Sequence, residues 1–352
     1  MNRKTTLKSF SLFFALAFGS SLNAQQIYTN GGLSTGANSA SGVAAPAGYT
    51  WSELQSETGN TTESNTNFGF GAVFNNAGTT NLQIADDFVV PAGSQFNVTS
   101  FDFFVYQTGY TGTVIPFDQL RVQIFSSNPS VAGAVSVAGN MTTNVLDAAN
   151  SGDALMYRTA NSVSPSPGTV PGTTRKIWRL RGNLSATLPA GTYWVVFQGH
   201  PTNDAGAFLP PVTVVGTRGL AGWNAIQNTI TAGVSSWLPL LDSGNPATAP
   251  DIAMDMPFLI NGTVVLSNKD NAFDASISFA PNPIINSFSV NVPTDVILSN
   301  IEILDLNGKL IKEIKVTNPE KLEFNISDLS TGNYLLKLIS ASGTAVKKFI
   351  KE

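Results

Sequence analysis

The sequence predicts an all-β protein: a large antiparallel β-sandwich, jelly-roll or Ig-like, followed by a small Ig-like sandwich. Three observations lead there. Charged residues are 12% of the 352, against about 25% in an ordinary soluble domain. Gly (31) and Pro (19) break the chain at short intervals, and such punctuation between apolar runs marks turns between strands. Apolar residues alternate with polar ones at period two, as in Leu120-Arg121-Val122-Gln123-Ile124-Phe125, and helix-period stretches are missing, which argues against a doubly wound α/β fold.

In chain order, residues 1–24 read as a secretory signal peptide. Arg3, Lys4 and Lys8 precede the apolar run Phe10 to Phe18, and Leu22-Asn23-Ala24 closes it. Gly19-Ser20-Ser21 interrupts the run well short of the ~20 residues a membrane helix needs. Cleavage would take three positive charges from a net charge of −4. Residues 25–83, rich in Gly, Ser, Asn and Ala, read as a loop-rich segment with isolated strands at the start of the central domain.

The central sandwich is expected over 84–266. Its strands read as Phe88 to Val90, Asn97 to Tyr106, Leu120 to Phe125, Arg175 to Arg181, Thr192 to Gln198, Val212 to Val215 and Ile252 to Val265. Six of the seven cations between Ile27 and Leu266 are Arg, and all nine after Leu266 are Lys. That change coincides with the polar stretch 267–272, a linker, and 273–352 then form a second unit. The phrase Leu188-Pro189-Ala190-Gly191-Thr192-Tyr193 recurs as Leu329-Ser330-Thr331-Gly332-Asn333-Tyr334. In both, Gly suits a tight turn with positive φ and Tyr opens a strand, as in a tyrosine corner.

Residue types exclude much chemistry. With no Cys and one His, disulfides, thiolate metal sites, Cys nucleophiles and two-imidazole zinc sites are gone. A pI near 5.1 argues against nucleic acid as a partner. His200, read as a loop residue, has no Gly-x-Ser-x-Gly elbow to serve, so no catalytic residue is nominated. A glycosidase-like carboxylate pair would have to come from the central Asp residues, which the sequence cannot pair. No cofactor is expected; Ca²⁺ is the one ion the residue types admit, with Asp86 and Asp87 as its candidate ligands. In a strand those two point to opposite faces, and Asp251 and Asp255 share a face but stand ~13 Å apart.

For ligand stacking the candidates are Trp223 and Trp237, which lie in turn-rich sequence, while Trp178 and Trp194 read as core. In Arg175 to Arg181, Arg175, Ile177, Arg179 and Arg181 share one side and Lys176, Trp178 and Leu180 the other. A half-buried edge strand accounts for this, and contact with an anionic polysaccharide is the functional rival.

The tail carries four signals in order: Pro281-Asn282-Pro283, the hairpin turn Asp305-Leu306-Asn307-Gly308-Lys309, the Leu329 to Tyr334 phrase, and a basic final strand with Lys347, Lys348 and Lys351. About seven short strands in some 80 residues make a small sandwich. This order resembles the type A C-terminal sorting domain of the type IX secretion system, found in Bacteroidetes cargo proteins. The resemblance implies the outer-membrane translocon and its sorting machinery as partners, export through periplasm and outer membrane, and then attachment to surface lipopolysaccharide or release.

The functional expectation is therefore an exported cell-surface or secreted protein with no transmembrane segment in its mature chain, whose central sandwich binds a glycan or a protein partner without catalysis. A secreted carbohydrate-active or other hydrolytic enzyme with an Asp-based site, and a structural surface or matrix component, are the alternatives.

Overall fold

A computed structural model describes residues 25–352 apart from 167, 267–268, 295, 307, 318–321 and 342, with backbone alone at 269–272. The expected signal peptide lies outside the described residues. No described helix is long and apolar enough to cross a membrane.

The central region is built from β1 (Gln25–Thr29), β2 (Thr50–Glu53), β3 (Leu82–Val105), β4 (Phe117–Phe125), β5 (Ser136–Asn140), β6 (Gly152–Thr159), β7 (Lys176–Pro201), β8 (Ile226–Thr231), β9 (Val234–Pro239), β10 (Leu241–Asp242), β11 (Ile252–Ala253) and β12 (Phe258–Leu266). β3 and β7 are its organisers. They pair antiparallel from Ile84 opposite Phe197 to Val105 opposite Trp178, with a break between Val90 and Gln95. At that break the chain runs Pro91-Ala92-Gly93-Ser94: Pro has no N–H for a ladder, and Gly93 has φ +76°, a conformation Gly adopts without a Cβ penalty.

Both long strands bend there and change neighbours. Before the bend β3 pairs with β8, and after it with β12; β7 pairs with β6 near its start and β4 near its end. One layer thus runs β9-β8-β3-β7-β4-β5 and the other β1-β12-β3-β7-β6-β2. The Phe88 and Phe101 rings show that the layers face each other. Thirteen extended residues would separate them by some 40 Å, yet their centroids are 6.3 Å apart. Phe103 stacks on Phe197 at 4.1 Å, and Phe88, Phe258, Leu120, Val122, Trp178 and Leu180 complete the core.

Two expectations about strands are corrected. Residues 175–181 do not form an edge strand, because β3 pairs with β7 on one side and β6 on the other; the residue pattern of β6 gave no clear strand signal. Val212 to Val215 is not a strand. It follows Pro210-Pro211, and its amides go to scattered acceptors, Val212 N–H to the Asp255 carbonyl and Thr213 N–H to that of Gly32.

A short helix, α1 (Lys269–Ser276), begins within the polar stretch read as a linker, and its Phe273 joins the core of the tail. The tail has two sheets: β13 (Ser278–Ala280), β14 (Ser287–Asn291) and β17 (Glu323–Asn325) in one, and β15 (Leu298–Leu304), β16 (Leu310–Lys315), β18 (Gly332–Ser340) and β19 (Gly343–Lys351) in the other. Their orders are β13-β14-β17 and β16-β15-β18-β19. Phe288, Ile301, Ile303, Leu336, Leu338 and Phe349 fill the space between them.

Candidate functional site

The four tail signals, far apart in sequence, gather at one end of the small sandwich. Gly332 pairs with Lys351 and Tyr334 with Phe349. Leu335 pairs with Leu304, the residue before the turn, so that turn lies beside the Tyr phrase. Asn282 Oδ1 accepts the Ile350 N–H at 3.0 Å, and Ile284 exchanges backbone hydrogen bonds with Ile350 and Glu352, which docks Pro281 to Pro283 on the last strand. In the turn, Lys309 N–H donates to Asp305 Oδ1 at 2.9 Å and Gly308 has φ +82°. Lys347 is held by Asp274 at 2.8 Å, whereas Lys348 and Lys309 face solvent.

The repeated Tyr phrase works in both units. Tyr193 Oη donates to the Pro189 carbonyl and Tyr334 Oη to the Ser330 carbonyl, each at 3.0 Å. The glycine's role differs from expectation. Gly191 has φ +159°, at the extended edge, and Gly332 has no positive φ; a Cβ at either would meet the following Tyr ring at ordinary contact distance, 3.6 and 3.4 Å.

The two candidate tryptophans fall in different places. Trp223 is half-buried on the rim of the main core. Trp237 lies on β9, and with Phe125 and Met141 it packs around Ala85, Trp194, Val196 and Ile226 on the outer face of the first layer. Trp178 is core, whereas Trp194 belongs to that outer cluster because β7 alternates, sending Tyr193, Val195 and Phe197 inward.

Asp86 and Asp87 sit where the outer edge of β3 loses its partner β8. Asp86 is fully buried, and its carboxylate accepts N–H groups of Asn30 (2.8 Å), Met256 (2.7 Å) and Asp87 (2.9 Å). The Asn224 amide, turned with its nitrogen inward, donates to Oδ1 of both aspartates at 3.2 Å. Strand alternation separates the pair, but an amide arriving edge-on spans both. Burial and then the charge of Asp255 push the Asp86 carboxyl well above the usual range. Burial, with Asp87 adding, raises Asp255 to about 6. Among the described residues no group of three His, Asp or Glu side chains is set to hold a metal ion.

His200 is a correction. It ends strand β7 rather than lying in a loop, and it is buried, with Nδ1 2.6 Å from Asp118 Oδ1 and Nε2 2.9 Å from Asp204 Oδ1. With a carboxylate oxygen at each ring nitrogen, the imidazole is a strand-end clamp and not an isolated group.

One concavity was not foreseen. A cleft of about 510 Å³ opens between residues 54–68, 159–175 and Asn245. Its lining is hydroxyl and amide side chains with Leu54, Phe68, Pro165 and Val170. The walls are fastened from behind. Buried Glu53 accepts Ser162 N–H and Oγ–H and the Ala40 N–H, Asp242 accepts the N–H groups of Thr66, Asn67 and Gly244, and Asn161 Oδ1 caps Val163 and Ser164. Arg175 lies across the Phe68 ring with its guanidinium carbon 3.9 Å from the centroid. Because Glu53, Asp242 and Phe68 reach these walls from far along the chain, no local pattern announces the cleft.

Residues 278–352 match the family described as "Secretion system C-terminal sorting domain". No curated protein matches the chain. Among solved structures, the adhesin domain of Epf from Streptococcus pyogenes is 9% identical, with 76% of each chain covered and a TM-score of 0.19. The BSP domain of a biofilm associated protein is 9% identical over 84% of this chain and 53% of that one, with a TM-score of 0.20. A β-glucuronidase of Faecalibacterium prausnitzii is 11% identical over 78% and 38%, with a TM-score of 0.18. At this identity and TM-score the likenesses carry no functional weight.

Proposed function

We propose that this chain, which its sorting tail marks as a type IX secretion cargo protein exported to the cell surface or released, is a binding protein whose central sandwich takes a glycan. The observation that carries the reading is the cleft. It has the volume of a small-ligand site, it is prebuilt by buried hydrogen bonds, and it offers hydroxyl and amide groups beside one aromatic residue. Saccharides present that mixture of hydroxyls and apolar faces. The motif-bearing end of the tail serves export, which leaves the central sandwich free for its ligand. Trp223 and Trp237, each half-buried at a different place, are proposed as secondary stacking contacts for a longer polysaccharide.

The test is retention of residues 25–352 on a panel of insoluble and immobilised polysaccharides, with Trp223→Ala and Trp237→Ala alongside. Retention on at least one polysaccharide is expected, weakened several-fold in a Trp variant that touches the chain. Passage through every matrix would end the glycan reading.

A further inference from the structure

The run Arg175 to Arg181 looks, in sequence, like one cationic stripe. The fold neutralises most of it. Arg181 forms a two-pronged pair with buried Asp102, Nε to Oδ1 at 2.7 Å and Nη2 to Oδ2 at 2.8 Å; Arg179 approaches the same carboxylate at 4.0 Å. Lys176 pairs with Asp153 at 2.7 Å. Arg175 alone of the four has neither an ion-pair partner nor a hydrogen bond from its side chain among the described residues; it is only braced over Phe68.

Arg175 is also the one charged residue lining the 510 Å³ cleft, whose described lining holds no Asp or Glu. A second guanidinium, that of Arg158, bonds the Phe68 backbone. Arg158 is fully buried, and its bonds go to neutral oxygens: the Phe68 carbonyl (2.9 Å), Ser52 Oγ (3.0 Å) and Thr213 Oγ1 (2.8 Å). Burial lowers its pKa only to about 10, so it stays charged at neutral pH. Asp242, which also accepts the Thr66 and Asn67 N–H groups, acts on Arg158, so the positive charge left over at the cleft is that of Arg175, and a recessed site strengthens its pull on an anion.

We infer that the cleft is a site for an anionic saccharide, with the ligand's carboxylate or sulfate on the free fork of Arg175 and its ring hydroxyls on the unused side-chain groups of Thr66, Thr174 and Asn245. This rests on the glycan reading and narrows it. The guanidinium matches a two-oxygen anion with two parallel hydrogen bonds, and its Phe68 brace reduces the side-chain freedom lost on binding.

Calorimetric titration of residues 25–352 tests it with three probes: a galacturonate oligosaccharide, its carboxyl-reduced neutral counterpart, and a sulfated heparin oligosaccharide. At least one acidic probe is expected to bind, with about tenfold or greater weakening in Arg175→Gln and loss of affinity as salt rises from about 50 to about 500 mM. Which acidic probe binds identifies the anion. Arg175→Lys, which keeps the charge and loses the fork, should hold the salt dependence at several-fold lower affinity, and Thr174→Val, on the exposed wall, tests the cleft without disturbing the Phe68 brace. Melting curves confirm that each variant folds. Equal binding of acidic and neutral probes, or full affinity in folded Arg175→Gln and Thr174→Val, would overturn the anion assignment and leave the glycan reading standing. Binding of no probe, together with no retention on any polysaccharide, would remove both.

Discussion

Carboxylates in this protein divide by what surrounds them. Asp102 is buried, yet the Arg181 fork and Asn261 surround it with donors. Asp86, Asp87 and Asp255 are crowded together with the Asn224 amide and backbone N–H groups as their main compensation. Charging a carboxylate whose pKa is raised on folding costs more in the folded chain than in the unfolded one. For Asp255, raised from the ordinary 3.8 to about 6, that cost is full above about 6 and is relieved as pH falls through that value toward 3.8. Asp255→Asn keeps an oxygen to accept the Asn224 N–H and removes the charge. It should therefore melt above the parent at about pH 7.5, with the gap closing near pH 4. A gap of equal size at both pH values would show that Asp255 carries no penalty. The sequence displayed these aspartates but not their meeting, since Asp255 arrives from a loop 169 positions beyond Asp86 and no local spacing records that approach.

Elements form where short-range patterns and turn chemistry agree. The alternation in β4 and β15, the left-handed Gly308 turn and the two Tyr phrases were legible because each is set within a few residues. The bend that turns β3 and β7 into both layers was only half legible: Pro91 and Gly93 mark an interruption, but two separate strands and one folded strand share that signature. The β8 and β9 hairpin escaped because its turn places Ala232, at φ +51°, before Gly233, and Ala gives no turn signal. The Tyr corners are stapled by one hydroxyl each. Tyr193→Phe and Tyr334→Phe should each cost about 1 kcal/mol, measured as a shift in urea midpoint. No change in either variant would reduce the hydroxyl bond to an incidental contact.

For the molecule as a whole, export belongs to the tail, and the proposed function assigns ligand binding to the central sandwich. Deletion of Phe273 to Glu352 is expected to leave the protein in the periplasm, read by fractionation and surface protease accessibility; surface delivery at the normal level would show that the tail is dispensable. The sequence by itself determined the strand-dominated fold and the identity of the tail. Period-two alternation, Gly and Pro punctuation and four short motifs are local properties that survive in a linear string. Only the tertiary structure decided where charge is left over. Arg175 and Arg181 look alike in the string, but Asp102 comes from 79 positions away to satisfy Arg181, while Arg175 turns onto Phe68 at the mouth of a cleft lined from three distant segments. Compensation of charge is a matter of distance in space, and the chain order of the residues does not contain it.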